Sequence, residues 1–376
     1  MDFSFSDEQT LLQESVSRFI TNDYGFESRQ KHSRSDAGYS LENWQTFAEL
    51  GWLGVPFSEN HGGFGGGAVE TMLMMEEFGK GLVVEPYLAT VVACGSALNG
   101  FGSEDQKSSF IPEIIDGSKL WALAFAEPQG RFNLADLTTT ATASNGSYLL
   151  SGHKSVVING PNANFFIVSV RTSGEQRDET GVSLFIIPSD AKGLSRRDYP
   201  TVDGQRASEL ILDNVELDEA SRLGEEGQGL NILQQAIDFA TLAIGSEAVG
   251  CMEVLYKDTV EYCKNREQFG QPIGKFQVLQ YRMVDMFMEH EQSKSLMFMA
   301  AMRWDEGYGA EAQKAVSAFK VQVGKSGKFV GQSAVQLHGG MGMTDELNIG
   351  HYFKRLTIID TMFGNVDHHL KRFGSL

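Results

Sequence analysis

Cysteine is scarce in this chain. Cys94, Cys251 and Cys263 are the only three among 376 residues. They are scattered and odd in number, and none has metal-ligand spacing, so they fit a reducing cytosol better than a disulfide framework. Each reads as a small buried apolar residue. Positive charge is also short: 31 Lys and Arg stand against 49 Asp and Glu, a formal net charge of −18. That balance argues against nucleic acid or an anionic membrane surface as a partner. No apolar run looks long enough to span a bilayer. The opening Met-Asp-Phe-Ser-Phe-Ser-Asp-Glu is acidic and has no signal-peptide pattern. Fixed-period repeats and low-complexity tracts are absent. The expectation is a cytoplasmic protein of two or three domains.

What is present falls into three parts. Residues 1–119 read as an N-terminal helical domain. Ser6 can cap a helix with Leu11, Leu12, Val16, Phe19 and Ile20 on one face. A second helix covers Leu41–Leu50 and stops at Gly51. The glycine-rich run Pro56–Gly67 has no preceding strand and no Lys-Ser/Thr ending, so it reads as a turn before a helix at Ala68–Phe78 rather than a phosphate cradle. Further helices begin near Pro86 and at Ser103. Residues 120–223 form a middle β domain, a barrel or sandwich of short strands at Trp121–Ala126, Thr138–Ala143, Tyr148–Gly152, Val156–Asn159, Phe165–Val170, Val182–Ile187 and Glu209–Leu212. The turn Asn145-Gly146 is among those that separate them. Residues 224–376 read as a four-helix bundle: Leu230–Lys264, Val278–Gly307, Ala310–Leu337 and about Thr344–Arg372. The fold class is therefore α+β, in the order α, β, α.

Two stretches carry chemistry. Residues 262–280 run Tyr-Cys-Lys-Asn-Arg-Glu-Gln-Phe-Gly-Gln-Pro-Ile-Gly-Lys-Phe-Gln-Val-Leu-Gln. The first part reads as a helix end, with Gly270 as the stop and Pro272 barring continuation. Arg266 offers a planar fork of donors for phosphate, and Phe269 a face for stacking. Residues 336–346, Gln-Leu-His-Gly-Gly-Met-Gly-Met-Thr-Asp-Glu, form a glycine turn after a helix. Glycines there let backbone N–H groups approach a phosphate closely.

Together these stretches resemble the R-x-x-F-G-x-P-I-x-x-F-Q-x-x-Q and Q-x-x-G-G-x-G signatures of the flavin-dependent acyl-CoA dehydrogenases, and the order of elements agrees along the whole chain. The resemblance implies bound FAD, lying between the β domain and the C-terminal helices with its ADP end crossing a subunit interface. The matching cofactor positions are Arg266, Gln268, Phe269, Gln277, Gln336, Gly339, Gly340 and Asn365. It also implies an acyl-CoA substrate, a tetramer, and an electron-transferring flavoprotein as electron acceptor.

The flavin-ring side departs from the family pattern. Where the family has a Thr-Glu-Pro-Gly-x-Gly-Ser-Asp segment, this chain has Ala126-Glu127-Pro128-Gln129-Gly130-Arg131-Phe132-Asn133. In the following strand, Val156 and Ile158 replace a tryptophan and a threonine, and isoleucine cannot donate a hydrogen bond. The family's reaction needs a carboxylate to take the α-proton. Phe363 stands where most members carry that glutamate, and Ala240, followed by Thr241, where a minority carry it. Asp360 lies one helical turn before Phe363. Glu247, inside an apolar helical run about 10 Å along from Ala240, is the remaining candidate base. Its other reading is a buried carboxylate paired with an arginine or a backbone N–H. Asp238 is a weaker candidate. His351, His368 and His369 lack a third ligand at suitable spacing, so no metal is expected. The methionines at 283, 286, 288, 297, 299 and 302 form a helical stripe suited to core or subunit contact.

Three functions fit this pattern. One is the base-lacking subunit of an α2β2 heterotetramer; the ending Tyr352–His369 resembles small subunits that act on pimeloyl-CoA or steroid side-chain thioesters. Another is a self-sufficient homotetrameric dehydrogenase with a relocated base. The last is a non-catalytic scaffold that binds flavin or acyl-CoA.

Overall fold

A computed structural model describes residues 5–144 and 146–376; Asn145 of the expected Asn-Gly turn lies outside the described residues. The chain divides into two compact units. One comprises the segment up to Lys31, Gly67–Val83 and Thr241–Leu376; the other comprises His32–Gly66 and Val84–Ala240.

The first unit is helical. Helix α1 (Asp7–Asn22) opens with a reciprocal cap, in which the Ser6 hydroxyl accepts from Gln9 N and the Gln9 side chain accepts from Ser6 N. Helix α2 (Phe26–Ser33), not expected from the sequence, starts in this unit. In α4 (Ala68–Gly81) the first amides are held by the Asp305 carboxylate, at 2.7 Å to Ala68 N and 3.2 Å to Val69 N. An anion is favoured at that end of a helix dipole. Helix α7 (Gly229–Asn265) begins in the second unit and continues into this one. By length and composition α7 could cross a bilayer, which corrects the sequence expectation, yet 83% of its most apolar window is buried inside the protein. It is a core helix. Helices α4 and α7 cross backbone to backbone: a Cβ on Gly79 would stand 2.0 Å from Glu247 O, and one on Gly250 would stand 1.9 Å from Glu76 O. Only glycine permits that approach.

Helices α8 (Gln277–Asp305) and α9 (Ala310–His338) complete the long antiparallel helices. The expected last helix is two, α10 (Asn348–Thr361) and α11 (Val366–Ser375). The break falls at Phe363 and Gly364, whose φ angles of 57° and 115° no helix accommodates.

The second unit holds α3 (Leu41–Glu49), a π-helical segment Leu88–Gly95 continuing into α5 (Ser96–Phe101), α6 (Glu104–Ile115) and the β segment. Its strands are β1 (Trp121–Ala124), β2 (Thr140–Ser144), β3 (Ser147–Ile158), β4 (Phe165–Arg171), β5 (Val182–Pro188), β6 (Leu194–Pro200), β7 (Arg206–Asp218) and β8 (Arg222–Leu223). They form one eight-stranded mixed sheet in the order β6-β7-β3-β2-β4-β5-β8, with β1 parallel to β4. Two expected strands, Tyr148–Gly152 and Val156–Asn159, are one strand, because β3 runs through two irregularities in its pairing with β7. Strand β6 was missed: its Ser-Arg-Arg-Asp run is exposed at the sheet edge and lacks an apolar alternation. The core of this sheet includes Leu150, Phe166, Val168, Phe185, Ile187, Leu210 and Val215.

Candidate functional site

The Arg266 motif is a hairpin rather than a simple helix stop. Helix α7 ends at Asn265, and Arg266 N still reaches Tyr262 O at 2.8 Å. Glu267–Gln268 then pairs antiparallel with Gln271–Pro272. Phe269 and Gly270 form the two-residue connection, both with positive φ, 56° and 80°. That is the backbone a tight hairpin requires, and glycine supplies it without strain. Phe269 does not, and its ring is 91% exposed. Arg266 is exposed too, and among the described residues no acid lies within ion-pair reach of it. Gln277 is the exposed first residue of α8.

The glycine turn closes α9, with Gly339 N donating to Gln336 O. A Cβ at Gly339 or Gly340 would meet nothing within 4 Å, whereas one at Gly342 would stand 3.0 Å from Val335 O. Gly342 is thus needed for internal packing. At Gly339 and Gly340 the open space faces outward, where another molecule can approach the backbone. Tyr262 stacks on His338, ring centres 4.3 Å apart, tying the end of α7 to the end of α9. Since α8 starts where α7 ends, Arg266, Gln268, Phe269, Gln277, Gln336, Gly339 and Gly340 gather at one end of the bundle.

Asn365 does not join them. The turn that carries Phe363 and Asn365 is bound to Lys320, which lies about 24 Å along α9 from Gln336 at about 1.5 Å per residue. Lys320 is fully buried and donates to Ile359 O (2.7 Å), Asp360 O (3.1 Å), Met362 O (2.8 Å) and Gly364 O (2.8 Å). Burial pushes its pKa down to about 7, against the pull of Asp360. The four carbonyls around it can be met only by N–H donors. His369 is buried beside the turn with Nε2 3.2 Å from Phe363 O. Burial, then the Lys320 charge, pushes its pKa down to about 3. Neutral His369 therefore donates from Nε2. His369 and His368 cap and pack this turn; His351 lies by Asp345 and Gln30. Sequence reasoning missed Lys320. The available signal was a lysine on the apolar face of Val316, Phe319 and Val323.

Glu247 is taken by an arginine. Arg355 donates through Nε to Oε1 at 2.5 Å and through Nη2 to Oε2 at 2.7 Å, and both side chains are buried. Both carboxylate oxygens point into a guanidinium fork. This is the paired arrangement, and it leaves the carboxylate facing an arginine rather than an open space. Ala240, Thr241 and Asp238 are buried as well, and Gln234 donates to Asp238 at 3.2 Å. Asp360 turns toward α9, its Oδ1 buried in the space that Gly324 leaves free.

In the second unit, the two ring-side stretches meet. Ser155 N donates to Ala126 O at 2.9 Å, and Lys154 donates to Glu127 at 2.7 Å, both side chains fully buried. Glu127 also accepts from Thr138 N (2.7 Å), Thr138 Oγ1 (2.6 Å) and Thr139 N (3.1 Å). The Glu-Pro of this segment is therefore an anchor. Beside it Val156 adopts φ 52° and is 54% exposed. A β-branched residue in the left-handed region is strained. Arg131 has φ 49°. Ile158 lies on a cleft that also presents Tyr39, Glu85, Asn159 and Arg206.

Burial raises the Glu127 carboxyl, but Lys154 and the threonine donors more than reverse this and hold it at about 2, below the usual 4.5. The stabilisation is fully present above pH 4.5 and is lost as pH falls through about 2, worth about 3 kcal/mol. Urea unfolding between pH 6 and 3 should lose stability more steeply for the wild type than for Glu127→Gln. Equal slopes would exclude the linkage.

Among the described residues one group could offer three metal ligands within 4.8 Å of one another, Glu76, Glu253 and His290. Ammonium groups already occupy its carboxylates. Lys294 reaches Glu76 at 2.7 Å, Lys80 reaches Glu253 at 3.2 Å, and Lys257 also holds Glu253.

Comparison with known proteins matches the chain along most of its length. Family models described as acyl-CoA dehydrogenase N-terminal, middle and C-terminal domains match residues 6–118, 122–215 and 227–374. The L-prolyl-[peptidyl-carrier protein] dehydrogenase of a Serratia species is 30% identical over 93% of this chain and 91% of its own. The short-chain-specific acyl-CoA dehydrogenase of Megasphaera elsdenii is 30% identical over 84% of each. Among solved structures, butyryl-CoA dehydrogenase from Megasphaera elsdenii superposes with a TM-score of 0.92 at 27% identity, covering 100% of this chain and 99% of that one. An FAD complex of PigA gives 0.92 at 28%, covering 100% and 98%. A steroid dehydrogenase described as Tcur3481-Tcur3483 gives 0.88 at 28%, covering 98% and 97%.

Proposed function

The chain belongs to the acyl-CoA dehydrogenase family, and from that premise we propose that this FAD-binding oxidoreductase works as the base-lacking subunit of a heterotetramer. FAD, when bound, supplies the acceptor for the hydride that leaves the β-carbon of an acyl thioester. The residues present fit its phosphate end. Arg266 is exposed and free of acidic partners, Phe269 offers a bare ring face, and Gly339 and Gly340 leave their backbone open.

One observation supports the split assembly above all. The phosphate-end residues and the Phe363–Asn365 turn lie at opposite ends of α9, so an assembled site draws them from different chains. The chemistry points to an unlike partner. Phe363 and Ala240 carry no acid, and Glu247 is bound by Arg355. The α-proton then passes to a carboxylate on the partner. The exposed Val278, Tyr281, Val284 and Met288 on α8 give an apolar face for assembly. The substrate class we assign is a bulky or dicarboxylic acyl-CoA, by likeness of Tyr352–His369 to subunits acting on such thioesters. Electrons leave through an electron-transferring flavoprotein, in the cytoplasm.

The test is flavin stoichiometry by absorbance. Expected is little FAD on the chain alone and about one FAD per pair of unlike chains after co-expression with a dehydrogenase-like partner. One FAD per chain alone, bleached by acyl-CoA, would overturn the reading in favour of a homotetramer.

A further inference from the structure

We propose that Lys320 is the positioning residue of the 361–365 turn, setting the backbone that presents Phe363 and Asn365 to the cofactor. The inference deepens the reading above and rests on it for the identity of the ligand, FAD.

Helix α10 ends at Thr361, and its last carbonyls have no partner within the helix. A cation is favoured at that end of the helix dipole. Lys320 supplies it from α9, and its reach extends past the helix. Two of its acceptors, Ile359 O and Asp360 O, close α10, while Met362 O and Gly364 O belong to the turn itself. The carbonyl between these last two, Phe363 O, is taken by His369 from α11. Asn365 finishes the turn by capping α11, its Oδ1 accepting from His368 N at 3.1 Å. Side chains from two helices thus bind the carbonyls of Ile359, Asp360, Met362, Phe363 and Gly364.

So many constraints on one turn match its backbone. Phe363 is held at φ 57°, a conformation a phenylalanine avoids unless its surroundings over-determine it. A helix stop alone would need only the first two acceptors and a glycine. Held in one geometry, the turn presents Phe363 and Asn365 without ordering cost on binding.

The experiment compares Lys320→Met with Val330→Ala, a buried position on the same helix toward its other end. Val330→Ala reports what a general loss of stability does. FAD affinity is measured by fluorescence quenching on the assembled protein, and amide hydrogen exchange over residues 361–369 on the cofactor-free protein. Lys320→Met should weaken FAD binding by about tenfold or more and expose the 361–369 amides, since four buried carbonyls lose their donor. Val330→Ala should stay within about twofold of wild type in both. Equal FAD affinity in Lys320→Met and Val330→Ala, or unchanged exchange in Lys320→Met, overturns the inference. Should Lys320→Met fail to fold, Lys320→Gln takes its place in the same comparison. If the wild type binds no FAD in any assembly, the functional reading fails, and the exchange measurement still decides whether Lys320 sets the turn.

Discussion

Replacing Arg355 by methionine should cost about 3–5 kcal/mol of unfolding free energy, among the largest effects of any single substitution in this chain. Glu247 would be left buried without its fork of donors, in a place water cannot reach. It sits where α7 meets α4 across Gly79 and Gly250, so neither helix can withdraw to admit solvent. The attraction within the pair is large, but so is the desolvation it offsets. Removing both charges should therefore hurt far less than removing one. The double variant Glu247→Leu with Arg355→Met is expected to recover most of the loss. Equilibrium urea unfolding of the four proteins checks this. A loss below about 1 kcal/mol for Arg355→Met would mean that Glu247 has solvent or another donor within reach, and would reopen its candidacy as a base.

The second large effect concerns turnover. The purified chain, loaded with FAD and mixed with acyl-CoA, should bleach its flavin about 10²- to 10⁴-fold more slowly than the complex with a base-carrying partner, the span a positioned proton acceptor contributes. The reasoning rests on geometry. The α-proton needs a carboxylate within hydrogen-bond reach, and every acid near the two family base positions is committed or turned away. Glu247 is bound by Arg355, Asp238 accepts from Gln234, and Asp360 faces α9. Stopped-flow absorbance with the chain alone and with the complex reads the ratio directly. Equal rates would show that this chain holds its own base.

Some of this was legible before any coordinates. Motif spacing located the Arg266 and Gly339–Gly340 stretches, because a hairpin and a helix-ending turn leave glycine in sequence where the backbone must be bare. The α, β, α order was readable because period 3.6 and short alternating runs differ over long stretches. Strand β6 escaped because an edge strand facing solvent has no apolar alternation to read. The split of α10 from α11 escaped because Phe363 sits in a left-handed conformation that only tertiary donors make tolerable.

By itself, then, the sequence determined the family, the phosphate-end residues and the absence of an acid at Phe363 and Ala240, since these are matters of identity and spacing along one chain. The tertiary structure alone decided what Glu247, Glu127 and Lys320 do. Each is an ionisable residue in an apolar neighbourhood, and its role depends on a partner far away in sequence: Arg355, Lys154 and a set of carbonyls on the next helix. A buried charge is defined by what neutralises it, and that partner is chosen by packing.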